Sequence, residues 1–210
     1  MKVLVIGAHG KVGQRLVKAL AEQGYEVRAM IRDLSQSSQF RGPGVEAFHA
    51  DLEQDFSNAF EHIDHVVFTA GSGGHTGPEK TIDIDQNAAI RAVDLSLSHR
   101  VKRFIMISAQ GARNPEVPSK IQHYYKAKRI ADDYLIDSGQ AYTIFRPGRL
   151  TEDAGNGKVI AGKFIEQRGE TSRANLAKAI VISLRLENTR NKIIEILEGS
   201  EPVEETLSKI

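Results

Sequence analysis

The amino-acid sequence predicts an α/β fold, a doubly wound parallel sheet followed by a small C-terminal extension. Short runs rich in β-branched residues alternate with longer stretches whose apolar residues recur at helical spacing, which is the pattern of βαβ units. The first run leads directly into three glycines spaced three residues apart, Gly7, Gly10 and Gly13, and then into a helical pattern. A chain of 210 residues with a hydrophobic content of 40% has the right size for one domain with a substantial core.

The elements before residue 148 are predicted from these patterns. Val12–Gln23 carries apolar residues on one helical face, and Gly24 follows it at the position of a left-handed C-cap. Two later helices are marked by apolar residues over Ile90–Leu97 and over Ile121–Leu135, and Gly139 follows the second of them. The predicted strands are Lys2–Ile6, Glu26–Ile31, Val45–His49, His65–Thr69, Arg103–Ile107 and Ala141–Arg146.

The pattern becomes less regular after Pro147. Residues 146–164 are rich in glycine and polar residues, and they predict loops with one short strand. Ser172 is the predicted N-cap of a helix over 172–186, which a strand over 191–197 and a terminal helix over 202–210 follow. We therefore expect a single domain over 1–210, with a cofactor-binding core (1–147) and a smaller substrate-side and C-terminal elaboration (148–210).

Composition and charge argue against several classes of function. The 28 basic and 27 acidic residues give a net charge of +1, so there is no electrostatic case for a nucleic-acid or anionic-membrane partner. The absence of cysteine excludes disulfides and thiolate metal sites, and because the seven histidines are scattered no metal site is predicted. The N-terminal apolar run is not a signal peptide, and no stretch approaches the ~20 apolar residues of a membrane span, so we expect a cytoplasmic protein.

The glycine-rich loop is the first candidate binding site. Gly7 allows a sharp turn off the strand, Gly10 leaves room for a diphosphate against bare backbone, and Gly13 allows close packing of helix and sheet. The helix N-terminus then offers unpaired N–H groups and a positive dipole to the phosphates. The loop therefore predicts a dinucleotide cofactor, with Gly7, His9, Gly10, Lys11, Val12 and Gly13 as candidate contacts.

The end of the second predicted strand indicates which dinucleotide. An acidic residue at this position would bind the ribose 2′-hydroxyl of NAD, but here the strand ends at Arg32, with Asp33 behind it. An arginine can pair with the 2′-phosphate of NADP through two hydrogen bonds. The sequence therefore predicts NADP rather than NAD, the alternative for Arg32 being an exposed charge at the end of a strand.

Two further segments follow the third and fourth predicted strands. Asp51 and Leu52 stand where an adenine edge would lie, and the stretch FTAGSGG places Ala70, Gly71 and Ser72 after the fourth strand. Because the carboxyl ends of parallel strands meet at one edge of the sheet, these residues are predicted to lie in a row with the glycine loop.

Tyr124 and Lys128 lie four residues apart and therefore on one face of the predicted helix. An ammonium beside a phenol favours the phenolate, so we expect Lys128 to lower the pKa of Tyr124. Such a tyrosine could exchange a proton with a carbonyl–alcohol couple near neutral pH. The alternative is an interfacial aromatic residue next to a solvated charge.

These motifs together resemble one protein family. GAHGKVG, Asp51–Leu52, FTAGSGG, RFIMISA, the Tyr124–Lys128 pair and YTIFRPGRL are similar to the short-chain dehydrogenase/reductase superfamily, and in particular to its atypical NAD(P)-binding branch of epimerase/dehydratase-like proteins. The three-residue glycine spacing is that of the extended and atypical members. SRANLAKAI resembles a helix start of that branch, with Asn175 in place of an acid.

The resemblance implies a Rossmann-like sheet of about seven strands, NADP as the cofactor, and Pro147 among its contacts. In active members a tyrosine transfers the proton, a lysine holds the nicotinamide ribose, and a serine orients the carbonyl, and these roles fall on Tyr124, Lys128 and Ser108. Ala109 occupies the neighbouring position that usually carries the catalytic serine, and Asp85 stands where the superfamily commonly has an asparagine.

Two functions are compatible with these residues. The first is an NADP-dependent oxidoreductase or epimerase that acts on a small carbonyl or alcohol compound. The second is an NADP-binding sensor without turnover, which the departures at Ala109 and Asp85 favour. Neither the substrate nor the formation of a homo-oligomer can be predicted from these motifs.

Overall fold

The computed structural model describes residues 1–74 and 76–210 and shows an α/β protein with a mostly parallel central sheet. The strands are β1 (Lys2–Ile6), β2 (Glu26–Ile31), β3 (Val45–His49), β4 (His65–Phe68), β5 (Arg103–Ile107), β6 (Tyr142–Pro147), β7 (Arg149–Thr151), β8 (Lys158–Gly162), β9 (Glu170–Ser172), β10 (Lys192–Glu198) and β11 (Glu201–Pro202). The helices are α1 (Lys11–Glu22), α2 (Pro78–Thr81), α3 (Ala89–Ser98), α4 (Gln122–Asp137), α5 (Arg173–Ser183) and α6 (Val203–Ser208), and a π-helical segment, Ile82–Ala88, joins α2 to α3.

The main sheet has nine strands in the order β11-β8-β10-β6-β5-β4-β1-β2-β3. Seven of them, from β10 to β3, are mutually parallel, as the doubly wound prediction requires. The expectation of about seven strands for the whole sheet is too low, because β8 turns back to pair antiparallel with β10 and β11 then pairs with β8. From β1 the sheet grows outward in two directions, through β2 and β3 on one side and through β4, β5 and β6 on the other, so a crevice opens at the carboxyl ends of β1 and β4.

Helices cover the two faces of the sheet and form two apolar cores. On one face, α1, α5 and α6 pack on the sheet through residues such as Leu16, Ile180 and Leu207. On the other face, α3 and α4 pack through Val93 and Leu135. α1 presents one apolar stripe, as its periodicity predicts, whereas α5 is buried on most of its surface and also packs against α1 and α6.

Local turn chemistry accounts for several element ends. Gly24 and Gly139 have φ of 78° and 81°, so both predicted left-handed positions are confirmed. The side chain of Ser172 accepts a hydrogen bond from the backbone N–H of Asn175, at 3.0 Å, which confirms the predicted N-cap of α5.

The segment after Pro147 is more structured than the expected loops with one short strand. It contains β7 and β8, and β7 pairs in parallel with β9 in a separate two-stranded sheet. Among the described residues, none of the helices is long and apolar enough to span a bilayer.

Candidate functional site

The glycine loop brings backbone segments into the close approach that its glycine spacing predicts. Gly7 has φ of 81°, and a Cβ placed on it would lie 2.7 Å from the backbone of Ala70. A Cβ on Gly13 would lie 2.4 Å from the carbonyl oxygen of Gly7 and 2.6 Å from that of Ala8. Glycine at these two positions therefore allows α1 to approach β1 and β4 more closely than any side chain would permit.

The first turn of α1 is suited to an anion. Its N-cap is Gly10, which makes no side-chain capping bond, and the turn contains no acidic residue. The backbone N–H groups of this turn are thus not capped by a side chain, and no carboxylate of the turn offsets the positive end of the helix dipole. Together with the bare surface at Gly7 and Gly10, this fits the diphosphate of a dinucleotide.

A cavity of about 350 Å³ opens beside this loop, at the carboxyl ends of β1, β2, β3 and β4. It brings together most of the cofactor contacts proposed from the sequence: Gly7, His9, Gly10, Arg32, Asp51, Leu52, Ala70, Gly71 and Ser72. It also contains residues that sequence reasoning missed: Met30, Ile31, Gln36, Ala50, Thr69, Lys80 and Ile84. Of these, Lys80 and Ile84 come from a distant helical segment, so no local pattern could have identified them.

Five other proposed cofactor residues do not line this cavity. Val12 and Gly13 are buried behind the loop, on the core side of α1. The side chain of Lys11 turns to Glu152, with 2.9 Å between Nζ and Oε1. Lys128 and Pro147 lie further along the same edge, towards β5 and β6.

Arg32 and Asp33 are in different environments at the end of β2. Asp33 caps the next turn by accepting a hydrogen bond from the backbone N–H of Ser35 at 2.8 Å, and hydrogen bonds from Ser35 hold the pKa of Asp33 below its usual range. Arg32 is exposed and lines the cavity. The carboxylate that could have bound a ribose hydroxyl is thus engaged locally, whereas Arg32 is exposed at the cavity wall.

Tyr124, Lys128 and Asp85 form a contact chain beside the cavity. The Lys128 ammonium lies 5.7 Å from the centre of the Tyr124 ring and 3.0 Å from Oδ1 of Asp85. The other oxygen of Asp85 accepts a hydrogen bond from the backbone N–H of Ser72 at 2.9 Å, and Ser72 lines the cavity. Asp85 projects from the π-helical segment, a rare conformation often found at functional sites. The ion pair therefore joins the tyrosine helix α4 to the cavity.

The pKa of Tyr124 is raised, contrary to the prediction from the spacing of Tyr124 and Lys128. Burial of the phenol raises its pKa above 10.0, Lys128 opposes this shift, and the carboxylate of Asp85 adds to it. Burial alone would lower the pKa of Lys128, but Asp85 raises it above 10.5 and keeps the ammonium charged. The sequence argument lacked first the burial of the phenol and second the carboxylate that neutralises the lysine.

Ser108 is hydrogen-bonded to the buried carboxylate of Asp132. Its hydroxyl donates to Oδ2 of Asp132 at 2.8 Å, and the same oxygen accepts from Arg146 Nε at 3.0 Å. Ser108 and Asp132 are 2% and 0% exposed, and burial raises the pKa of Asp132 while Arg146 opposes the shift. Because a hydroxyl has one proton, Ser108 in this arrangement presents only lone pairs to a ligand.

Asp132 is a residue that sequence reasoning missed although a signal was available. Tyr124, Lys128 and Asp132 follow one another at intervals of four residues, so all three lie on one face of α4. Tyr125, which is out of this register, packs its ring against Gly111, where an added Cβ would lie 2.4 Å from the ring.

A larger cavity, of about 760 Å³, lies between β8, β10 and α6. It contains none of the residues proposed from the sequence, and its walls include Ile160, Lys192 and Ile210. The smaller cavity remains the better candidate because backbone donors and the helix terminus meet there, and the Lys128–Asp85 pair contacts its wall through Ser72.

Comparison with known proteins identifies the family of the chain. The family described as NAD(P)H-binding matches residues 7–186 of the chain. A Bacillus subtilis protein named an uncharacterized sugar epimerase is 41% identical over 215 residues, which cover 100% of both chains.

Two solved structures are similar over nearly the whole chain. One is a proposed NAD-dependent epimerase/dehydratase of Bacillus halodurans, which is 40% identical with a TM-score of 0.96 over 100% of both chains. The other is an oxidoreductase of Lactococcus lactis, which is 26% identical with a TM-score of 0.90 over 100% of this chain and 96% of that one. The fold, the glycine loop and these matches agree, and the chain belongs to the NAD(P)H-binding family, in the atypical branch of the short-chain dehydrogenase/reductase superfamily.

Proposed function

We propose that this protein is an NADP-dependent oxidoreductase or epimerase that acts on a small carbonyl or alcohol compound, with Tyr124 as its acid/base. The observation that carries the proposal is the position of Asp85, which contacts Lys128 through one oxygen and the backbone of cavity-lining Ser72 through the other. This contact supports the proposal because it links Lys128, and through it Tyr124, to the cavity that would hold the dinucleotide.

The chemistry divides between the cofactor and the chain. A bound nicotinamide supplies or accepts the hydride. Tyr124, whose pKa is raised, stays protonated at neutral pH and so donates a proton to the oxygen of a carbonyl that is being reduced. Lys128 stays charged through its contact with Asp85 and can hold a ribose hydroxyl and favour the phenolate as the proton leaves.

The preference for NADP rests on Arg32. Arg32 is an exposed residue that lines the cavity, while Asp33 accepts a hydrogen bond from Ser35. A charge-assisted contact to a phosphate contributes about 1.5–3 kcal/mol, so Arg32→Ala should weaken NADPH binding about 10- to 100-fold and leave NADH binding nearly unchanged. Arg41→Ala, which removes an exposed arginine that does not line the cavity, is the matched control. Tighter binding of NADH than NADPH, unaffected by the Arg32 change, would refute the preference.

The test of turnover is a screen for NADPH oxidation with aldehydes, quinones, flavins and nucleotide sugars. We expect Tyr124→Phe to abolish any activity found, because it removes the exchangeable proton but keeps the ring. Tyr134→Phe is the control, since this tyrosine is on the same helix but is exposed and bonded to Asp94. Full activity of the Tyr124 variant would exclude the proposed acid/base.

A non-catalytic NADP sensor is the second candidate, and one observation favours it. The Ser108 hydroxyl donates to Asp132 and therefore does not donate to a carbonyl in this arrangement. Tight NADPH binding with no oxidation by any compound of the screen would support the sensor over the enzyme.

A further inference from the structure

Three cations surround one carboxylate beside the glycine loop. Glu152 lies 2.9 Å from Nζ of Lys11, 3.1 Å from Nη2 of Arg15 and 2.8 Å from Nη1 of Arg173. Lys11 and Arg15 are one turn apart on α1, and Arg173 is the first residue of α5. Three positive charges and one negative charge leave the cluster with an excess of two positive charges.

Glu152 reaches this cluster from a different part of the chain. It directly follows β7, whose last residue, Thr151, pairs with Ser172 of β9, next to Arg173. Its contacts with Lys11 and Arg15 span about 140 positions of sequence and join the segment after β7 to the first turn of α1. That turn is the one whose backbone N–H groups fit a diphosphate.

The contacts of Glu152 are of a kind that another anion can replace. The side chains of Lys11 and Glu152 are 68% and 48% exposed, so water and salt weaken their attraction. The hydrogen bond from Lys11, with the charges of Arg173 and Arg15, holds the pKa of Glu152 below 4.5 although partial desolvation acts in the opposite direction. Glu152 is thus a carboxylate anion at neutral pH, held beside the predicted phosphate position.

We propose that Glu152 is a displaceable internal anion, which ties the segment after β7 to α1 and competes with the diphosphate of the dinucleotide for Lys11 and Arg15. The inference rests on the placement of the cofactor in the proposed function. Removal of the carboxylate frees the two α1 cations for the ligand, so the affinity for the dinucleotide rises. The contact lowers the affinity of the resting protein for its cofactor.

The experiment measures NADPH binding to the full chain by isothermal titration calorimetry. We expect Glu152→Gln to tighten binding about 3- to 10-fold at ~50 mM salt, and the gain to shrink towards ~0.5 M salt as the charges are screened. Glu22→Gln is the matched control: Glu22 is an exposed glutamate paired with Lys18 at the far end of the same helix. It makes the same change in net charge and should leave NADPH affinity unchanged.

A double-mutant cycle separates competition for Lys11 from a general change of charge. In a Lys11→Met background, the gain from Glu152→Gln should be smaller, because the change then releases Arg15 but no longer Lys11. An unchanged or weaker affinity of the Glu152 variant, an equal gain from Glu22→Gln, or an undiminished gain in the Lys11→Met background would each overturn the inference. Failure of every variant to bind NADPH would instead refute the proposed function, and this inference with it.

Discussion

The replacement Gly13→Ala tests whether the third glycine brings α1 against the sheet. The new Cβ would lie 2.4 Å from the carbonyl oxygen of Gly7 and 2.6 Å from that of Ala8, and both atoms are backbone. An ordinary contact begins near 3.4 Å, so the start of α1 must retreat by about 1 Å. Alanine favours the helix by about 1 kcal/mol, whereas an overlap of this kind costs about 1–3 kcal/mol or more.

Both overlaps are with backbone atoms, which cannot rotate away, so the cost lies in the upper part of this range. We therefore expect a net loss of about 1–2 kcal/mol and a melting temperature about 2–8 °C lower for a chain of this size. NADPH binding should fall at least about tenfold, because the displaced first turn no longer aims its N–H groups at the diphosphate. Thermal unfolding and titration calorimetry measure the two effects.

Gly24→Ala is the control for this experiment. Gly24 has φ of 78° and no heavy atom within 4 Å of an added Cβ. Only the left-handed backbone is strained, so we expect about 1–2 kcal/mol of destabilisation and no change in NADPH binding. A Gly13 variant as stable as the parent, with equal affinity for NADPH, would refute the argument from close approach.

Three further predictions concern buried polar groups. Asn175 donates to both oxygens of Glu198, at 3.0 and 2.9 Å, so Asn175→Asp sets two carboxylates against each other and should cost about 3 kcal/mol at neutral pH. Urea unfolding should show part of this loss recovered in acid, where protonation relieves the repulsion between the carboxylates. A variant as stable as the parent would contradict this prediction. Burial lowers the pKa of His65 from 6.5 to about 4, so between these pH values the unfolded chain takes up a proton that the folded chain does not. The free energy of unfolding should therefore fall by up to about 3 kcal/mol as the pH is lowered from 6.5 to about 4. His65→Gln should flatten the curve of stability against pH over this range, and parallel curves for the variant and the parent would argue against it. The buried guanidinium of Arg103 donates to the carbonyl of Ser183 at 2.9 Å and to Thr189 Oγ1 at 2.6 Å. Arg103→Met leaves these acceptors without a donor, so thermal unfolding should show a loss of about 3 kcal/mol. A loss below about 1 kcal/mol would show that these hydrogen bonds do not stabilise the fold.

Local pattern predicted most of the sheet, because a buried parallel strand is marked by its own residues. The runs at β1 and β5 are apolar after their first residue, and α1 has one apolar stripe. β8 could not be located within the segment predicted as loops with one short strand, because it lies near the margin of the sheet, where the two-residue strand β11 pairs with its outer side. Val159 is its buried residue, and the exposed residues beside it resemble those of a loop. Its existence depends on pairing with β10, more than 30 positions later.

The candidate site divides in the same way. Gly7, Gly10 and Gly13 could be identified from spacing, because a turn between one strand and one helix is a local event. The spacing of Tyr124 and Lys128 placed them on one helical face, but it could not show that Asp85 neutralises the lysine and that burial raises the pKa of the phenol. Local geometry follows from neighbours in sequence, whereas the electrostatic environment of a group comes from every element that packs around it.

By itself, the sequence determined the parallel sheet, the helix that follows its first strand, and the glycine loop suited to a diphosphate. Only the tertiary structure decided that Ser108 donates to Asp132 and that Glu152 contacts Lys11. Both contacts join residues that no periodicity relates, since they depend on where separate strands and helices end at one edge of the sheet. Hydrogen bonds and ion pairs act over a few ångströms, so the partners of these side chains are set by packing and not by their order along the chain.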